Sequence, residues 1–123
     1  FMKWRNPFNH MTVMFRKQAV ISVGSYQPFY LLEDYYLWNR MANAGLKFAN
    51  IGECLLWARG GYNMLQRRGG WRYVVSEYHL LHFMWKSKRI NFIEFVFSLS
   101  VKSIVRMIGK HGRSLLYRMF LRK

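Results

Sequence analysis

The spacing of apolar positions changes several times along the first half of the chain, dividing it into short elements. Residues 10–16 (HMTVMFR) are rich in strand formers and predict a strand. Residues 17–23 predict a short helix stopped by Gly24. Residues 26–32 hold Pro28 and the aromatics Tyr26, Phe29 and Tyr30, and predict a loop. Over residues 32–44, Leu32, Tyr35, Tyr36, Trp38 and Met41 return at roughly helical spacing, and Gly45 is a natural stop. Residues 47–51 and 53–58 predict two short strands around Gly52. A helix that ends in glycine and leads into a buried strand is an α/β unit.

The second half reads differently. Residues 59–70 form a turn-rich connector carrying Gly60, Gly61, Gly69, Gly70 and the adjacent pair Arg67-Arg68. From Trp71 onward the pattern is helical, with helices expected over residues 71–86, 91–108 and 111–121. Gly109 and Gly112 separate the last two.

Composition narrows the class. The chain has 123 residues, enough for one domain, and 52% are hydrophobic, so a packed core is expected rather than disorder. Twenty Lys and Arg against five Asp and Glu give a formal net charge of +15. That balance implies an anionic partner: nucleic acid, a phospholipid surface or a phosphorylated substrate. One cysteine, Cys54, excludes an internal disulfide and supplies no metal-ligand spacing. Within Cys54-Leu55-Leu56-Trp57 it reads as a small buried hydrophobe. The first residues show no apolar leader, and a start on Phe1-Met2 suggests a sequence that begins part-way through something larger.

Charge concentrates in the helical half. Residues 86–123 carry ten Lys or Arg and one acid, Glu94. Lys102, Arg106, Lys110 and Arg113 recur every three or four residues, which places them on one helical face, with Ile104, Val105 and Ile108 among the apolar residues between them. Two readings stay open: a basic amphipathic surface resting on an anionic membrane, or a solvated face on an ordinary helix. A spanning helix is not expected, because a span needs roughly twenty apolar residues and residues 90–101 already contain Glu94. Nucleic-acid binding is the obvious rival, since Trp71-Arg72-Tyr73 interleaves aromatics with a cation. No zinc-finger spacing, RNA-recognition signature or KH-type loop is present, so packing is the expected use of these aromatics.

Two of the five acids sit side by side as Glu33-Asp34, at the start of the helix expected over residues 32–44. Carboxylates suit a first helical turn, where free N–H groups and the macrodipole favour negative charge. A carboxylate at the mouth of a cleft can also take a proton from a hydroxyl.

Several segments, in order, then carry a resemblance. Asn6-Pro7-Phe8-Asn9-His10-Met11-Thr12-Val13-Met14-Phe15-Arg16-Lys17 is followed by Val23-Gly24-Ser25-Tyr26 and by Glu33-Asp34-Tyr35-Tyr36-Leu37-Trp38. Gly45-Leu46-Lys47-Phe48-Ala49-Asn50-Ile51-Gly52-Glu53-Cys54-Leu55 comes next, then Met64-Leu65-Gln66-Arg67-Arg68-Gly69-Gly70. Together, over about residues 4–80, they resemble the acceptor-side part of family-2 glycosyltransferases of the GT-A fold, most closely those of amylovoran, O-antigen and capsule synthesis.

The resemblance implies an α/β fold: the C-terminal portion of a GT-A domain over residues 1–85, followed by basic amphipathic helices over 86–123. It implies sugar transfer from a nucleotide-sugar donor to a saccharide or lipid-linked acceptor, by direct displacement at the anomeric carbon. Asp34 is then the general base, and Glu33 positions the acceptor or caps the helix. Arg67 and Arg68 would close over the donor diphosphate, where guanidinium pairs with phosphate. His10, with Thr12 and Asn9 as weaker candidates, would contact the donor, and Trp38, a substrate-binding candidate, is expected to pack the Asp34 helix rather than stack on sugar. The complete enzyme is expected to use Mg²⁺ or Mn²⁺ held by an acidic motif that this sequence lacks; no cofactor or metal is assigned to the chain itself. The chain alone is therefore expected to be inactive: it reads as the acceptor-side half of a split, truncated or degraded transferase, with a missing N-terminal half as its candidate partner. Its expected place is peripheral, on the inner face of the cytoplasmic membrane. The alternative is a non-enzymatic basic module for membrane or nucleic acid.

Overall fold

A computed structural model describes residues 2–57 and 69–108 of the protein. Within them a 3₁₀ turn (His10–Thr12) precedes four helices: α1 (Lys17–Ser22), α2 (Glu33–Asn43), α3 (Trp71–Lys86) and α4 (Phe92–Met107). All four were expected from apolar spacing, with ends within two residues of those observed. The helix expected over residues 111–121 lies outside the described residues.

The glycine stops hold. After α1 and α2 the chain turns through Gly24 (φ 82°) and Gly45 (φ 75°), a left-handed conformation that costs glycine little. Ser25 N–H then reaches Val20 O at 2.9 Å, and Leu46 N–H reaches Met41 O at 3.1 Å, closing the last turns. The α3–α4 corner makes the same turn through Lys88, where Arg89 N–H donates to Met84 O at 2.8 Å. Helix α4 opens with a reciprocal cap. Asn91 Oδ1 accepts from Glu94 N–H at 2.7 Å, and Glu94 Oε2 accepts from Asn91 N–H at 2.8 Å.

The α/β expectation is corrected. No strand forms among the described residues. Residues 10–16 fold as the 3₁₀ turn and an extended lead into α1, and residues 46–57 run irregularly and almost wholly exposed. Strand formers make a strand only when a neighbouring segment supplies hydrogen-bond partners, and none does so among the described residues. Cys54 follows its segment: it is exposed, not buried, as are all of residues 51–57.

Helix α2 joins two apolar clusters. Leu37, Trp38 and Met41 meet Val20 of α1, with Phe8, Val13 and Leu46 around them. Leu32 and Tyr35 meet Tyr73, Leu80, Leu81 and Met84 of α3 together with Ile90 and Phe95. The Tyr35 hydroxyl donates to the Met2 carbonyl, tying down the N-terminal segment. Ser76 Oγ donates to Tyr30 O at 2.7 Å, joining α3 to the loop before α2.

Helix α4 inverts the usual arrangement of a surface helix. Lys102 and Arg106 point inward, toward α2 and α3. Lys102 Nζ lies 5.8 Å from the centre of the Tyr35 ring, and Arg106 stacks over Tyr73 at 4.2 Å while binding the buried Glu77 at 2.9 Å. Burial pushes the Lys102 ammonium below its ordinary value, opposed by Glu77 and reinforced by Arg106. The side facing away, Ile93, Phe97, Ile104 and Met107, is apolar and exposed. The periodicity that gathers Lys102 and Arg106 on one face is therefore real, but that face is not a solvated or membrane-resting surface. Lys110 and Arg113 lie outside the described residues.

Candidate functional site

The acid pair occupies the first turn of α2, whose N-cap, Leu32, offers no side-chain cap. The carboxylates of Glu33 and Asp34 thus supply the negative charge that turn favours. Asp34 is half-buried and held at both oxygens. Its Oδ1 accepts from the Tyr35 N–H at 2.7 Å, and its Oδ2 accepts from Asn6 Nδ2 at 2.7 Å. Each oxygen keeps a lone pair beyond those bonds, so the carboxylate remains able to accept a proton. Glu33 beside it is exposed.

Asn6 is itself fixed, since its Oδ1 accepts from Phe8 N–H at 3.2 Å. Neither Asn6 nor Tyr26 stands out as a site residue in the sequence, yet the structure sets both near the acids. The Tyr26 hydroxyl is raised above its ordinary value, first by burial and then by the charges of Asp34 and Glu33. Its oxygen lies 3.4 Å from His10 Nδ1, and the two rings meet edge to face. His10 therefore lies against a tyrosine that feels the charge of the acid pair.

The loop that carries Tyr26 is clamped. Arg40 of α2 reaches back to donate to Val23 O at 2.6 Å and to Ser25 O, and its guanidinium covers the Tyr36 ring at 4.8 Å. Ser25 (φ 54°) and Leu31 (φ 56°) bracket the loop in the left-handed region, where a side chain costs about 1 kcal/mol. The Gly24-Ser25-Tyr26 sequence is the signal that locates this turn; nothing in the spacing alone gives the reach of Asn6.

The remaining candidates separate from this cluster. Asn9 and Thr12 bind each other, Thr12 Oγ1 donating to Asn9 O at 3.0 Å. Both line an open, mainly apolar groove of about 930 Å³ with Phe8, Phe15, Leu46 and Phe48. Trp38 is 1% exposed, with Phe8 edge-on at 5.9 Å, so it packs the floor of that groove, as the packing alternative has it, and presents no face to a sugar here. Arg67 and Arg68 lie outside the described residues. Among the described residues no three His, Cys, Asp or Glu side chains gather as a metal would require. The described residues do not by themselves fit a divalent metal site.

No family model and no solved structure matches the chain significantly. Curated proteins do. The amylovoran biosynthesis glycosyltransferase AmsE of Erwinia amylovora is 38% identical over 117 residues, covering 95% of this chain and 44% of the relative. An uncharacterized glycosyltransferase of Haemophilus influenzae is 36% identical over the whole chain and 45% of its own length. The UDP-Gal:alpha-D-GlcNAc-diphosphoundecaprenol beta-1,3-galactosyltransferase of Escherichia coli is 31% identical over the whole chain, again 45% of its length. The chain thus spans less than half the length of these relatives. It is homologous to glycosyltransferases of amylovoran and O-antigen biosynthesis, and corresponds to their C-terminal part.

Proposed function

We propose that this chain is the acceptor-side part of a transferase that moves a sugar from a nucleotide-sugar donor to a saccharide or lipid-linked acceptor in surface-polysaccharide synthesis. The observation that carries the reading is the placement of Asp34: half-buried, oriented by Asn6 and the Tyr35 amide, with proton-accepting capacity left. In this role Asp34 takes the proton of the attacking acceptor hydroxyl, and Glu33 at its side orients the acceptor. Tyr26 and His10 form the adjoining wall.

The donor diphosphate and its divalent metal would be held by a nucleotide-binding half that these residues do not supply. The apolar groove beside Trp38 and the unpaired segment 46–57 are the seat proposed for that half. Their strand-forming residues would then gain the sheet partners of a GT-A fold. With a lipid-linked acceptor, the assembly would work at the inner face of the cytoplasmic membrane.

Complementation tests this reading. The purified chain is given nucleotide sugar and a diphospholipid-linked acceptor, alone and with the N-terminal half of a relative. Transfer only in the mixture is the expected result. Transfer by the chain alone would contradict the division of labour.

A further inference from the structure

Helix α4 exposes a mainly apolar face, interrupted by Ser100, whose hydroxyl donates to Val96 O at 2.9 Å. Ile93 is 78% exposed, Phe97 60%, Ile104 63% and Met107 62%. Their spacing of four, seven and three residues sets them in one line along the helix. Phe92, Val96 and Val101 widen the strip. The three charged residues of the helix all lie off it: Lys102 and Arg106 face the core, and Glu94 is engaged by Lys3 and the Asn91 amide. Monomeric proteins rarely leave such a strip uncovered.

We infer that this face is a membrane-insertion surface, seated in the headgroup and upper acyl region of an anionic bilayer. The inference rests on the reading above only for where a lipid-linked acceptor would be met; the face belongs to the helix itself. Charge selects the occupant. A chain of net charge +15 is drawn to an anionic surface, whereas pairing two copies through this strip brings like charges together. The helix has 16 residues, and no helix among the described residues is long and apolar enough to cross a membrane, so the mode is interfacial. Attachment therefore works by apolar insertion, with the net positive charge of the chain supplying long-range attraction. This differs from a basic helical stripe lying on the headgroups.

Trp4 gives a reporter. Its ring meets Phe97 edge to face at 6.3 Å and is half exposed, at the border of the strip.

The test is co-sedimentation of the purified chain with vesicles of phosphatidylglycerol and phosphatidylethanolamine, without donor or acceptor. Binding is expected, with quenching of Trp4 by bromine-labelled acyl chains that is absent in Trp4→Phe. The double variant Phe97→Glu, Ile104→Glu should bind roughly tenfold or more weakly, given the area withdrawn from lipid. Circular dichroism should show its helix content unchanged, since both positions are exposed. Absence of vesicle binding, equal binding by the double variant, or a dimer that the same substitutions dissociate would overturn the proposal. Because no sugar transfer is measured, its failure leaves the transferase reading standing, and the reverse holds as well.

Discussion

Asn6 Nδ2 donates to Asp34 Oδ2 at 2.7 Å, across 28 positions of sequence, and so fixes the orientation of the carboxylate proposed as the base. A hydrogen bond to an ionised group contributes about 1.5–3 kcal/mol. In the complete transferase containing this segment, Asn6→Ala should lower kcat by about tenfold or more. KM for the nucleotide-sugar donor should hardly change, because Asn6 acts on the acceptor side. Steady-state kinetics in both substrates separate the two effects.

The ion pair of Glu77 and Arg106 links α3 to α4 in the interior. Removing one partner leaves a buried charge uncompensated, so Glu77→Ala should cost about 3–5 kcal/mol in urea unfolding. Replacing both, as Glu77→Leu with Arg106→Met, should recover most of that loss, since an apolar pair of similar volume needs no compensation.

Lys102 provides a dependence on pH. Burial holds its pKa below the ordinary lysine value, so between the folded and unfolded pKa the unfolded chain binds more protons. Stability from this group therefore rises as pH climbs toward the alkaline range. Lys102→Met should remove that rise and increase stability at neutral pH, as read from thermal melts across pH.

Glu94 acts in the opposite direction. Its carboxyl is held below the usual range by the Asn91 N–H and then by Lys3. Its stabilising contribution is present at neutral pH and lost as pH falls through the lowered pKa. Glu94→Gln should flatten the acid limb of the melting profile. Asn91→Ala, which removes the other half of the cap, should cost about 1 kcal/mol at neutral pH.

Helix positions were legible because their signals are local. Gly24 and Gly45 mark real turns, and the spacing of Leu32, Tyr35, Trp38 and Met41 belongs to a helix buried along much of its surface. The strands were not, because a strand depends on a partner, and residues 46–57 meet none among the described residues. Periodicity also placed Lys102 and Arg106 on one face without saying which way that face turns. The buried Glu77 decides it, and its position on α3 is a tertiary fact. At the site, Glu33-Asp34 was visible as an acid pair in a basic chain. Asn6 was not, because its reach to Asp34 depends on how the N-terminal segment packs across α2.

The central claim is that Asp34 accepts the acceptor's proton. The most direct measurement is single-turnover sugar transfer by Asp34→Asn in the complete transferase, with donor affinity measured in parallel. The account predicts a rate lower by about 10²–10⁴-fold, the usual contribution of a general base, with donor binding intact. A near-normal single-turnover rate would contradict it.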